Sequence, residues 1–152
     1  MKDKIKWSKF ISFMELEKGG LDNIPTKSGV YSIWRSQKDK IEFIERGTGG
    51  RFKDKDPNVP VNTLQEKLVD DAKILYLGKS NNLRERIKQL RDFGRGKRVG
   101  HRGGRYIWQI KNATGILKLR WKVSGKPRKL EKKLLFDFEK EYGRLPFANL
   151  GH

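Results

Sequence analysis

Ile74-Leu75-Tyr76-Leu77-Gly78-Lys79-Ser80-Asn81-Asn82-Leu83 is the stretch on which the fold turns. Ile74 to Leu77 has strand composition, and the turn residues that follow open a helix. At about 100° per residue Leu83, Ile87, Leu90 and Phe93 fall on one apolar stripe of that helix. Arg86 lies inside the stripe, whereas Arg84, Lys88 and Arg91 lie outside it. A charge turned inward costs several kcal/mol unless it is paired or serves a site.

Working outward, Val30 to Trp34 and Ile41 to Ile44 read as a hairpin, and Ile116 to Val123 alternates as a further strand. Tyr106 to Ile110 fits a strand or a short helix. Leu134, Leu135, Phe138 and Tyr142 form the stripe of a last helix, with Glu131 near its centre, Glu139 and Glu141 on its flanks and Asp137 further round. Trp7, Phe10, Ile11 and Met14 recur at helical spacing up to Gly19-Gly20, so an N-terminal helix is expected over about residues 5–19. Between strands, residues 35–72 form an insertion. Gly47 to Pro60 has no periodicity, while Thr63 and Glu66 have the spacing of a capping box before a short helix ending near Ala72. These elements predict an α/β domain of the α+β kind: a small, mostly antiparallel central sheet flanked by helices, in a single domain over residues 1–152.

The net charge of +18 is unevenly spread. Residues 73–130 hold 18 basic and 2 acidic side chains, and the insertion is neutral with eight of each. Arg84, Arg91, Arg95, Lys97, Arg98, Arg102 and Arg105 fall in this basic stretch among glycines, a pattern suited to a phosphate backbone. The plainer reading is a solvated basic face. Cysteine is absent, which removes disulfides, thiolate nucleophiles and cysteine-based zinc sites and fits a reducing cytoplasm. No apolar run is long enough for a membrane span, so a soluble cytoplasmic protein is expected. Gly78-Lys79-Ser80 does not complete a P-loop, because Lys73 stands where the required glycine belongs.

Gly29-Val30-Tyr31, Tyr76-Leu77-Gly78, Arg86 ten residues after the second tyrosine, then Glu131 and Asn149 occur in one order, and in that order the chain resembles the GIY-YIG nucleases over about Gly29 to Asn149. The tyrosines are 45 positions apart, a longer connection than the family core usually has. The resemblance implies a metal-dependent endonuclease hydrolysing phosphodiester bonds in DNA, restriction-like or associated with phage or mobile elements. By the same resemblance Tyr31 and Tyr76 line the site, with Tyr31 the better choice to accept or orient the proton of the attacking water. Lys79 is placed to supply the cation that favours a phenolate. Arg86 stabilises the transition state, Glu131 holds a single Mg²⁺ or Mn²⁺, and Asn149 positions substrate or metal-bound water. Many members carry His or Tyr where this chain has Leu90; His101, in the following glycine-rich loop, is the candidate substitute. Double-strand cutting would need a homodimer or two successive events. The rivals are a nucleic-acid-binding module of the same fold without catalysis, which would not need Arg86 and Glu131 turned inward, and a nicking or repair nuclease; the plainer reading of Arg86 and Glu131 themselves is a structural ion pair.

Overall fold

The structure is a computed structural model that describes residues 6–35 and 40–150. Strands β1 (Ile11–Ser12), β2 (Gly29–Arg35), β3 (Ile74–Ser80) and β4 (Leu117–Val123) form one antiparallel sheet in the order β1-β4-β2-β3. Around it lie α1 (Phe13–Glu17), α2 (Val61–Lys67), α3 (Leu83–Gly94), α4 (Gly104–Ile107), α5 (Ala113–Ile116) and α6 (Pro127–Tyr142), giving an α+β fold.

Alternation along β2 turns Tyr31 and Ile33 into the main core, where they join Leu119 of β4. The expected stripe of α3 packs there too: Leu83, Ile87, Leu90 and Phe93 are all buried. Asn82 starts this helix by accepting the Glu85 N–H on its side chain. α6 begins with Pro127 and ends on Gly143 at φ 75°, the usual proline-start and glycine-stop chemistry. It packs on β3 and β2, and its Phe138 closes a second, smaller core with Val69 and Ala72.

Three expectations are corrected. Ile41 to Ile44 does not pair with β2, because β3 and β4 already take both edges of that strand; only Phe43 makes an isolated bridge, to Ile110. The N-terminal helix is shortened to Phe13–Glu17, since Ile11 and Ser12 pair with Leu119 and Lys118 on the open edge of β4 and Ser12 then caps the helix. The start of the predicted range, residue 5, lies outside the described residues. Thr63 and Glu66 both sit inside α2, which starts after Pro60 without a side-chain cap and ends at Lys67.

The insertion is pinned from within. Gln109, almost fully buried, donates from Nε2 to the carbonyls of Ile44, Glu45 and Val59 and accepts the Val59 N–H. Gly50 donates its N–H to the Phe93 carbonyl at the end of α3. Residues 44–59 are thereby held against the basic loop that follows α3. Among the described residues no helix is long and apolar enough to cross a membrane.

Candidate active site

Pairing brings the two tripeptides face to face: Tyr31 lies opposite Gly78, and Ile33 opposite Tyr76. Gly78 has to be glycine, because a Cβ there would fall 2.6 Å from the Tyr76 ring and 2.8 Å from that of Tyr31. The two rings thus lie over bare backbone, their centroids 5.8 Å apart. The next glycine-rich turn completes the cluster, since Gly103 presses its backbone on Tyr76 and thereby carries His101 to Tyr31.

His101 Nε2 lies 2.7 Å from the Tyr31 hydroxyl, and the Gly104 N–H donates to Nδ1 at 2.9 Å. With Nδ1 accepting, the neutral ring carries its proton on Nε2, so His101 donates to the Tyr31 oxygen. Burial, then the nearby Arg86 charge, pushes the imidazole down to about 3. His101 therefore stays neutral across the physiological range and is already committed at both nitrogens. It reaches Tyr31 as a hydrogen-bond donor, so the side chain expected to stand in for the one missing at Leu90 does lie on Tyr31, as a neutral, saturated partner.

Arg86 leaves α3 toward the same cluster, donating from Nη1 to Gln89 Oε1 at 2.7 Å and to the Gly100 carbonyl at 3.1 Å. Its charge favours the phenolate of both tyrosines. Burial outweighs it: the Tyr31 hydroxyl is held well above its ordinary value by desolvation and by Tyr76, and Tyr76 is raised less, again by burial, with Tyr31 now acting to lower it. Tyr31 is completely buried, whereas Tyr76 is only partly buried and borders a cleft. Of the two tyrosines Tyr76 is thus the more accessible, while Tyr31 is the one the resemblance ranks first.

A cleft of about 290 Å³ lies beside β3 and is bordered by Tyr76, Lys79, Arg102, Glu131 and Asn149. Lys79 lies opposite Val30, on the other face from Tyr31, so it cannot supply the cation beside that phenol; Arg86 does, and Lys79 acts on Glu131 instead. The Glu131 carboxyl is raised by burial, against the ammonium and backbone N–H of Lys79. Among the described residues no group of three or more His, Asp or Glu side chains is arranged around a metal. One partly desolvated carboxylate suits a hard cation that keeps most of its waters and takes phosphate oxygens. Asn149 is spent on backbone: Oδ1 accepts the Leu77 N–H and Nδ2 donates to the Leu77 carbonyl.

No Arg86–Glu131 ion pair is formed, and Tyr76 feels both charges, the arginine lowering it and the carboxylate raising it. Of the expected backbone-binding residues, Arg84 donates to the Ile24 and Asp22 carbonyls, Arg91 pairs with Asp92, and Arg95 pairs with Glu17 and Asp92. Lys97, Arg98 and Arg102 are exposed, and Arg105 leans on the Pro57 carbonyl. Sequence reasoning missed the buried Asp92 and the part taken by Phe52 to Pro57, which border a second cleft with Arg86, His101 and Arg102. Asp92 stands between cations at Lys88, Arg91 and Arg95, and that spacing was the available signal. Compared with protein-family models, curated proteins and solved structures, the chain matches none.

Proposed function

We propose that the chain is a metal-dependent endonuclease of the GIY-YIG type acting on DNA, restriction-like or associated with phage or mobile elements. One observation carries the reading: around the edge of β3, Tyr76 lies within the fields of Arg86 from α3 and Glu131 from α6, two charges that their helices turn inward. Hydrolysis of a phosphodiester needs an acceptor for the proton of water and compensation for charge on the phosphoryl oxygens. Tyr76, backed by Tyr31, orients the attacking water at its phenolic oxygen and would take its proton only as the phenolate, the form that Arg86 and a bound cation favour. Tyr31, held by His101, orients Tyr76 from behind. Arg86 faces a phosphoryl oxygen, and Lys79 adds charge at the rim of the cleft. Glu131 would hold Mg²⁺ or Mn²⁺, which when bound supplies charge stabilisation to the leaving oxygen.

The binding-module reading draws on the complete burial of Tyr31 and on the engagement of Asn149 with Leu77. Glu131→Gln separates the two. Nicking of plasmid with Mg²⁺ should fall at least about 10²-fold while gel-shift affinity stays within about twofold. A variant that still cuts removes the metal role, and a wild type that binds DNA but nicks no duplex, single-stranded or branched substrate establishes the binding module.

A further inference from the structure

Arg86 and His101 also border a cleft of about 580 Å³ whose opposite wall is the insertion. That volume lies in the range of small-ligand sites. Its two walls differ in chemistry. Arg86, Arg102 and Arg105 line one side; Phe52, Asp56 and Pro57, with Lys55, line the other. Phe93, almost fully buried, lies at its base.

Phe52 is 43% exposed although it belongs to a turn firmly attached to the body; its ring lies beside Gly100, with the Lys53 ammonium 5.4 Å from the ring centroid. Behind it Lys53 and Asp54 take left-handed backbone at φ 54° and 59°, a conformation that costs non-glycine residues about 1–2 kcal/mol each. Such strain persists where the surroundings impose it, and it gathers at ligand clamps. Here the surroundings are the Gln109 hydrogen bonds, the Gly50–Phe93 backbone bond and the Arg105 contact to the Pro57 carbonyl. Asp56 is fixed by accepting the N–H of Asn58 and its side-chain amide. The insertion's side is thus preorganised, bringing an aromatic ring and a hydrogen-bond acceptor into one cleft with three guanidinium groups, of which Arg105 reaches the Pro57 carbonyl.

We propose that this cleft takes one nucleotide of the DNA strand beside the scissile bond, with its phosphate on Arg86, Arg102 and Arg105 and its base unstacked against Phe52. An anionic phosphate is drawn to the three arginines, while the base offers a π face to Phe52 and amino hydrogens to Asp56. The insertion is then the specificity element of the enzyme. The assignment rests on the nucleic-acid reading of the neighbouring site, because Arg86 serves both.

Titration calorimetry with the four deoxynucleoside 5′-monophosphates and with deoxyribose 5-phosphate tests it on the full-length protein without any cleavage readout. At least one nucleotide should bind about tenfold or more tighter than the sugar phosphate. Phe52→Ala should remove that preference, Phe52→Trp should keep it, and Phe136→Ala, at an exposed phenylalanine on α6, should leave it unchanged. Arg105→Gln should weaken nucleotide and sugar phosphate together. Equal binding of the two ligands by the wild type, no binding of either, or a preference retained in Phe52→Ala overturns the pocket. A nuclease that cuts while failing this titration keeps its catalytic site and loses only the nucleotide pocket; a protein that never cuts yet shows the Phe52-dependent preference keeps the pocket.

Discussion

Arg35 and Arg86 are both guanidinium groups drawn into the body of the protein, and they are used in opposite ways. Arg35, at the far end of β2 from the tripeptide glycine, is 4% exposed and aims its fork at the carbonyls of Val69, Asp70 and Ala72. It fastens the chain entering β3 to the end of β2. Arg86 commits Nη1 to Gln89 and Gly100 and directs its charge at Tyr31, Tyr76 and His101. A buried arginine is a structural tie where carbonyls saturate it, and a candidate for chemistry where its neighbours are weak acids.

The sharpest way to break that contrast is to change each arginine in turn. Arg86→Lys should lower single-turnover cleavage by about 10²–10³-fold with little loss of stability, because a point charge replaces a planar fork. Arg35→Met should destabilise by about 2–4 kcal/mol in urea melts, by leaving carbonyls unsatisfied, and should leave the rate per folded molecule unchanged. If Arg35→Met slows cleavage as much as Arg86→Lys, or Arg86→Lys unfolds the protein, the distinction fails.

His101 sharpens the comparison, being buried and saturated yet placed in the site. Its folded value of about 3 lies below the ordinary 6.5, so the unfolded chain takes up the proton first as pH falls. Stability contributed by the neutral ring is present above about pH 6.5 and is lost progressively toward 3, on the order of a few kcal/mol over the window. Urea melts at pH 4.5 and 7.5 should therefore differ more for the wild type than for His101→Gln. An equal difference in the two proteins would show that another group carries the acid sensitivity.

A smaller effect concerns the exposed cations. Lys97, Arg98 and Arg102 are exposed and have no carboxylate partner among the described ion pairs, whereas Arg91 and Arg95 are already paired with acids. Replacing Lys97, Arg98 and Arg102 with glutamine should flatten the log-log salt dependence of DNA affinity by up to about 0.9 for each phosphate no longer neutralised, and Arg91→Gln should barely change it. The reverse ranking would move the DNA-facing surface to the flank of α3.

The parts of the fold legible in the sequence are those set by one element's own periodicity. The stripe of α3, the alternation of β4 and the inward placement of Arg86 follow from spacing alone. What was hidden depends on competition between segments. Ile41 to Ile44 has strand composition but finds no edge of β2 open. Trp7 and Phe10 have helical spacing, but Arg120 of β4 draws their rings, and that of Trp34, into cation–π contacts 4.7 to 5.1 Å away, outweighing local preference. In the site, residue types announced Tyr31, Tyr76 and Arg86 together, while the partner of Lys79 and the role of the insertion depended on which face each strand residue takes and on how Gln109 folds a distant loop.

The amide of Asn149 has a consequence outside chemistry. By offering Oδ1 and Nδ2 to the Leu77 N–H and carbonyl, and with Ala148 donating to the Leu75 carbonyl, the C-terminal segment imitates a fifth strand for the space of two residues. Without it β3 would be a bare, partly apolar border of the sheet, able to template pairing with a second molecule. The segment takes up the hydrogen-bonding groups of that border at Leu75 and Leu77.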